Sequence, residues 1–570
     1  MRPEPLLVQS PTANLSSRLK SESAKRAALL FGSAVAIGVI FWRLQFSTDS
    51  ICCGDFDGYY HIKWSRLLWE SLKQGNLPPA FTWLPLTTLE SRSFVDHHLL
   101  FHGFQIPFTW FGDLRMGAKV SAALFGGLAV FSCYWLIVRY RIRYPLVWLL
   151  ALLASSAPFL YRLNMAKAPP FAIIFLIVGI YLLFTRKYWP LIILAFVFTL
   201  TYDMFVLLIV AGIIWTAVIG WTERRFEWRP LVWIIAGSVA GLVINPYFPT
   251  NLQLLYAHAR MKITTGGFST EVGKEWYPYN SLEFLGNSLV ACVAMVAGYI
   301  GFDPSDRKRA HHSLFFLVFA TVLMLMTAAW KRFVEYWPPF AVLFAAFSLQ
   351  PWLQGARATF THLSTDILDE LQPFLDRPAA RGKAGEDSKA VWHAVAIGVV
   401  SVLLATALFF NLWVTRNDIA SSERHAHYQA GAEWMRTNIP AGQVVFNTDW
   451  DDFPRLFYFD PTHKYVSGLD PTYLYDKSAY LSELYNRITL GQEEDPGPII
   501  RDRFGARYVF TDNFHHEFFN NVHKSGWFQV VYEDKDCTIL WIRDEKEVDE
   551  PEPVAPTEEI EEPSIDANNP

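Results

Sequence analysis

Two aspartates two residues apart open the chemistry of this 570-residue chain, in Gly54-Asp55-Phe56-Asp57-Gly58-Tyr59-Tyr60-His61. In an extended loop the carboxylates of Asp55 and Asp57 point the same way, and Gly58 allows a tight turn, so the pair suits a hard divalent cation, Mg2+ or Mn2+. His61, Lys63 and Arg66 follow within roughly two helical turns. A second cluster, Asp96-His97-His98 with His102, gathers imidazoles without a recognisable zinc spacing, so packing or acceptor contacts are its plainer reading. Arg332, in Trp330-Lys331-Arg332-Phe333, stands at the edge of an apolar run, where a charge must be paired or wet. Its guanidinium fork suits a phosphate, and an interfacial anchor that snorkels is the alternative. No P-loop, GxSxG, HExxH or dinucleotide fingerprint occurs in a fitting context. The five cysteines form no CxxC pair, and adjacent Cys52 and Cys53 read as two thiols because a vicinal disulfide is strained.

The elements that position these residues are set by composition. A chain 52% hydrophobic, 16% aromatic and 18% charged is too apolar for a disordered or nucleic-acid-binding polypeptide and reads as membrane-embedded. Its first apolar segment, about 27–46, follows Arg18, Lys20, Lys25 and Arg26, which predicts a retained anchor with a cytoplasmic N-terminus. Further runs centre near 128, 152, 177, 196, 212, 238, 294, 321, 341 and 403, about eleven spans in all, with those at 196 and 212 short. The basic clusters Arg139/Arg141/Arg143, Arg186/Lys187, Arg224/Arg225/Arg229 and Arg307/Lys308/Arg309 then all fall on the cytoplasmic side. Segments 47–115, 161–170, 247–285 and everything after about 416 fall on the other, where chemistry is expected.

Four segments follow: a cytoplasmic 1–26, a transmembrane 27–415, an external soluble α/β domain over 416–546, and an acidic tail over 547–570. The external domain is expected to hold short strands around 443–446 and 506–510 and a helix over 429–437. The tail holds nine acidic and no basic residues, so the net charge of -5 conceals a body carrying +4. Residues 351–391 read as a cytoplasmic connector with one amphipathic helix.

Asp57-Gly58-Tyr59-Tyr60-His61 resembles the acidic motif in the first external loop of the GT-C glycosyltransferase superfamily, in particular the catalytic subunits of oligosaccharyltransferases. Phe268-Ser269-Thr270-Glu271-Val272 resembles the mobile-loop motif of that group, which implies that Glu271 reaches the metal and acceptor site. Asp449-Trp450-Asp451-Asp452-Phe453 aligns with its Trp-Trp-Asp-Tyr-Gly acceptor motif, with Asp449, Asp452 and Phe453 as departures. Trp450, Asp451 and Asp452 are the acceptor-binding candidates. Arg332 matches an Arg-Phe pair that meets the carrier's phosphate. The second acidic metal motif is missing from Tyr161-Arg162-Leu163-Asn164-Met165-Ala166-Lys167, so the metal takes other ligands, such as Asp203 or the Asp96-His97-His98 cluster, or is dispensable. In the second case Arg162 and Lys167 neutralise phosphate charge directly.

The resemblance implies a GT-C fold of about 11 to 13 transmembrane helices with a small external α/β domain. It further implies transfer of a sugar or oligosaccharide from a polyprenyl- or dolichyl-linked carrier to an acceptor, protein first, with Asp57 and Glu271 as the catalytic carboxylates and Mg2+ or Mn2+ held by Asp55, Asp57 and Glu271. A related transferase acting on lipid or polysaccharide is the near alternative. A noncatalytic scaffold or transporter is the distant one, and no internal repeat or paired broken helix supports a transporter.

Overall fold

The computed structural model describes residues 11–53, 56–263, 273–305, 310–355 and 384–546. All eleven apolar runs fall on helices or bent helix pairs. Five are long and apolar enough to cross a membrane: Ser23–Gln45, Leu114–Arg139, Asp203–Glu223, His311–Ala329 and Ala394–Ala420. Two bent pairs, Pro145–Leu153 with Ala157–Leu163 and Ser281–Asn287 with Leu289–Gly301, raise the number to seven. Pro169–Phe184, Leu191–Thr201 and Arg229–Val243 are shorter, and the largely buried Trp337–Gly355 carries the remaining run. The chain is an integral membrane protein, yet by length the described residues hold five to seven full spans where 11 to 13 were expected. The runs near 196 and 212 stay separate, divided by Tyr202 and the 3-10 turn Asp203–Phe205.

The bends, of 81° and 88°, free backbone groups that an apolar layer cannot solvate. They are placed against each other, so each satisfies the other. Ala291 N–H donates to the Ser155 carbonyl at 3.2 Å, and the Ser288 and Ser156 hydroxyls bond at 3.0 Å. Asn411, on the helix Ala384–Ala420, donates to the Ala154 carbonyl at 2.8 Å. Elsewhere small residues permit close approach. Gly237 and Gly241, one turn apart, lie against Leu191–Thr201 so tightly that a Cβ at Gly237 would sit 2.2 Å from the Ile192 carbonyl oxygen.

The basic clusters gather at one end of the bundle. Arg186 pairs with Glu223, His311 lies 3.3 Å from the same carboxylate, Arg225 pairs with Glu227 at 3.3 Å, and Arg143 donates to the Leu353 carbonyl at 2.7 Å. Arg307, Lys308 and Arg309 lie outside the described residues, as do most of the connector and the whole acidic tail.

After the last span the helix expected at 429–437 is present as Gln429–Asn438, and the strands expected at 443–446 and 506–510 as Val444–Asn447 (β1) and Ala506–Asp512 (β3). With β2 (Lys464–Tyr465), β4 (Phe528–Glu533) and β5 (Cys537–Ile542) they form one sheet of order β2-β1-β3-β5-β4. Its β2-β1-β3 part is parallel and its β3-β5-β4 part antiparallel. The sheet shares a core with the first loop: Tyr60, Trp64, Phe81 and Phe94 pack with Tyr428, Val445, Phe457 and Tyr465, and Tyr465 N–H donates to the Trp83 carbonyl at 2.8 Å. Arg455, fully buried, lies 3.9 Å over the Phe56 ring and pairs with Glu423. Cys52 and Cys53, expected as separate thiols, are brought together as a vicinal pair, because the chain turns sharply there between the first span and the helix Asp57–Lys73.

Gly237→Val forces the helices apart and is expected to destabilise by about 1–3 kcal/mol. Gly220→Val, where nothing lies within 4 Å, serves as control. Thermal unfolding in detergent that fails to separate the two variants would contradict the packing described.

Candidate active site

A cavity of about 1190 Å3 lies where the first loop, the ends of the apolar helices and the sheet meet. Most of the expected residues converge on it: Asp57, Asp96, His97, His98, Arg162, Lys167, Asp203, Arg332, Trp450 and Asp451 all line it. Asp55 and Glu271 lie outside the described residues. Asp452 departs from expectation. It opens the helix Phe453–Phe459, whose first turn is driven into the core by Phe453, so its carboxylate is 3% exposed and accepts from the Tyr428 hydroxyl instead of facing the cavity.

Asp57 is the first residue of the helix Asp57–Lys73, where a carboxylate complements the helix dipole. Its Oδ2 lies 2.9 Å from Lys167 Nζ. Lys167 sits on the turn Asn164–Ala168 just before Pro169, where the new helix begins. Arg162 pairs with Glu335, which is 1% exposed, and its other nitrogen is 3.7 Å from Glu275. Arg332, on the 3-10 turn Lys331–Glu335, donates to Glu275 at 2.9 Å and to the Tyr202 hydroxyl at 3.2 Å, with its guanidinium over Trp276 at 5.0 Å. Glu275 therefore bridges two arginines, as a phosphate oxygen would.

Behind Asp57 runs a buried chain of imidazoles. Asp96 accepts from Trp64 Nε1 at 2.9 Å and from His102 Nδ1 at 2.8 Å, and His102 Nε2 meets His61 Nδ1 at 2.8 Å. The acceptor at its Nδ1 makes His102 a donor there, so its Nε2 accepts from His61, whose own Nε2 is left basic. Burial pushes the His61 imidazole well below its usual range, helped by His102 and Lys167. Burial acts likewise on His98, with His97 and His61 adding to it. Burial opposes the Asp96 carboxylate, but the hydrogen bonds it accepts from His102 and Trp64 hold it below its usual range. Asp57 and His61 are four residues apart on one helix, so they share a face, and both line the cavity.

The sequence pattern alone missed Glu335, Tyr202 and the ordered role of His61, and it preferred Glu271 to Glu275. The one available signal was that Glu275 and Glu335 each lie within a few residues of an aromatic-rich cationic stretch. As for a metal, Asp57 is bonded by an ammonium, and no three His, Cys, Asp or Glu side chains of the described cavity lining lie close enough to share an ion. Asp55 and Glu271, the other expected metal ligands, lie outside the described residues.

No protein-family profile and no curated protein matches the chain. Solved structures do. ArnT from Cupriavidus metallidurans bound to undecaprenyl phosphate is 15% identical with a TM-score of 0.52, over 89% of this chain and 97% of that one. The apo form of the same protein gives 15% and 0.55 over 90% and 98%. The chain has the GT-C fold. At this identity the likeness is one of architecture, and the expected helical GT-C class with a small C-terminal sheet is what the structure contains.

Folding keeps His61 and His98 neutral at pH values where the unfolded chain protonates them, near 6.5. The unfolded state then binds more protons, so stability falls as pH drops through that value, by up to about 1.4 kcal/mol per pH unit for each histidine. Thermal unfolding from about pH 7.5 to about 5.5 is expected to show this loss, and His98→Gln to remove one proton from the slope. A slope unaffected by the substitution would mean His98 is not held neutral.

Proposed function

We propose that this protein is a membrane glycosyltransferase that moves a sugar or oligosaccharide from a polyprenyl-phosphate or -pyrophosphate carrier to an acceptor at the external face. The observation that carries this reading is Glu275 held between Arg162 and Arg332 at the edge of the apolar layer, which marks an anion site of the right charge for a lipid phosphate. The ArnT structure bound to undecaprenyl phosphate supports the same donor class. The orientation, with the cavity external and the basic clusters cytoplasmic, follows from the distribution of Lys and Arg.

In this reading the carrier phosphate displaces Glu275 from the two arginines, and Lys167 neutralises charge as the bond from the anomeric carbon to the phosphate oxygen breaks. The acceptor attacks that carbon in a single inverting displacement, the electron pair leaves on the phosphate, and the acceptor's proton passes to His61 Nε2. Asp57 orients the nucleophile. Mg2+ or Mn2+ through Asp55, Asp57 and Glu271 is the alternative source of positive charge, and no step above depends on it.

Trp450 and Asp451, both on the cavity wall, support a protein acceptor. Burial of Asp452 away from the cavity favours the second reading, a lipid or polysaccharide acceptor, since the motif then offers less surface to a peptide.

Membranes given labelled polyprenyl-linked sugar are expected to transfer label, and Arg332→Met to reduce transfer about a hundredfold or more. Asp57→Asn is expected to do the same, and Glu275→Gln to tighten donor binding several-fold by removing a competing carboxylate. Unimpaired transfer in both Arg332→Met and Asp57→Asn would sink the assignment. Label on protein or on lipid separates the two acceptors, and loss of activity in EDTA restored by Mn2+ would move the charge-neutralising role from Lys167 to a metal.

A further inference from the structure

The buried chain of Asp96, His102 and His61 ends in one ring nitrogen at the wall of the large cavity. Its order is set from the Asp96 end. The two oxygens of Asp96 meet three donors: Trp64 Nε1 at 2.9 Å, the His98 N–H at 3.0 Å and His102 Nδ1 at 2.8 Å. The carboxylate only accepts, so the proton of a neutral His102 stays on Nδ1, and its Nε2 takes the Nδ1 proton of His61 across 2.8 Å. His61 Nε2 is thus the one nitrogen of the pair left with a lone pair to offer, and it makes no hydrogen bond among the described residues.

The two imidazoles are also held in place as rings. Ser65 Oγ donates to the His61 carbonyl at 2.8 Å and to Gln105 Oε1 at 3.0 Å, which ties the helix Asp57–Lys73 to the helix Leu99–Gln105 that carries His102. The His61 ring stands edge-on to Phe101, with centroids 5.2 Å apart. Burial that keeps His61 neutral also opposes the charge an imidazole gains when it acts as a base, and Lys167 adds to the opposition. A carboxylate one imidazole away counters both, and it fixes which nitrogen is free.

We propose that Asp96 and His102 are positioning residues for the proton transfer: Asp96 sets the tautomer of His102, His102 sets that of His61, and the carboxylate balances the charge that His61 gains. The role rests on the transferase reading above. There the acceptor gives its proton to His61 Nε2, the electron pair so freed forms the bond to the anomeric carbon, and the pair of the broken bond leaves on the phosphate. Asp96, its oxygens taken by three donors, acts only through His102, and His102 only through His61.

Membranes containing the full-length protein, given labelled polyprenyl-linked sugar over a range of concentrations, supply the test. Asp96→Asn keeps the shape of the side chain but can turn an N–H towards His102 and reverse the order of donors. It is expected to lower kcat about a hundredfold, with the donor KM within about twofold of the parent. His102→Gln, whose amide oxygen still accepts from His61 Nδ1, is expected to keep about ten times the kcat of His102→Phe. Adding Asp96→Asn to His102→Gln is expected to cost less than about threefold more, because the imidazole through which the carboxylate acts is gone. Parent-like kcat in Asp96→Asn, a loss carried by KM instead, or equal rates in His102→Gln and His102→Phe would each overturn the proposal, and the His102 pair decides it where Asp96→Asn does not fold. Arg332→Met separates the two levels. If it transfers as the parent does, the transferase reading falls; if it is impaired while Asp96→Asn is not, only the positioning role falls.

Discussion

Positive charge at the edge of an apolar layer must be matched there, because a bare ion in low dielectric is far less stable than one in water. Three cations of the cavity obey this rule. Lys167 has Asp57, Arg162 has the buried Glu335, and Arg332 shares Glu275 with Arg162. Removing one member of such a pair strands the other, which is typically worth about 3–5 kcal/mol. In the proposed reading an anionic ligand would enter by exchange, taking the place of a carboxylate already present. Glu275 is the group so placed: it lies on the 3-10 turn Lys274–Trp276 outside the long apolar helices, whereas Glu335 is sealed in the core.

The rest of the fold keeps these partners in register. The two bent helix pairs meet at their breaks and satisfy each other's backbone groups, which fixes the short segment carrying Arg162. The first loop and the sheet share one apolar core, so the helix bearing Asp57 and His61 is anchored from above as well as below. Arg455, stacked on Phe56 and paired with Glu423, joins the end of the last span to the start of that helix. The cavity is thus walled by elements far apart in sequence, each held by its own packing.

Much of this was legible in the residue order. Apolar runs of the right length marked the helices, and basic clusters marked the end at which they gather. Carboxylates and cations outside those runs marked the opposite end, where ten of the expected residues line one cavity. Partnership was not legible. Nothing in the local pattern says that Lys167 meets Asp57 across 110 residues, or that Glu275 bridges two arginines, because such pairs are fixed by which helices touch. Asp452 misled for a related reason: its neighbours in sequence line the cavity, but the helix that starts at Phe453 rotates it inward.

Leu191–Thr201 is one of the shorter apolar helices. Eleven residues of helix rise ~16 Å, about half the ~30 Å hydrocarbon thickness. The helix gives way to Tyr202 and Asp203, which line the cavity. In the proposed reading a lipid-linked donor meets the cavity's cations beside a helix too short to cross a bilayer by itself.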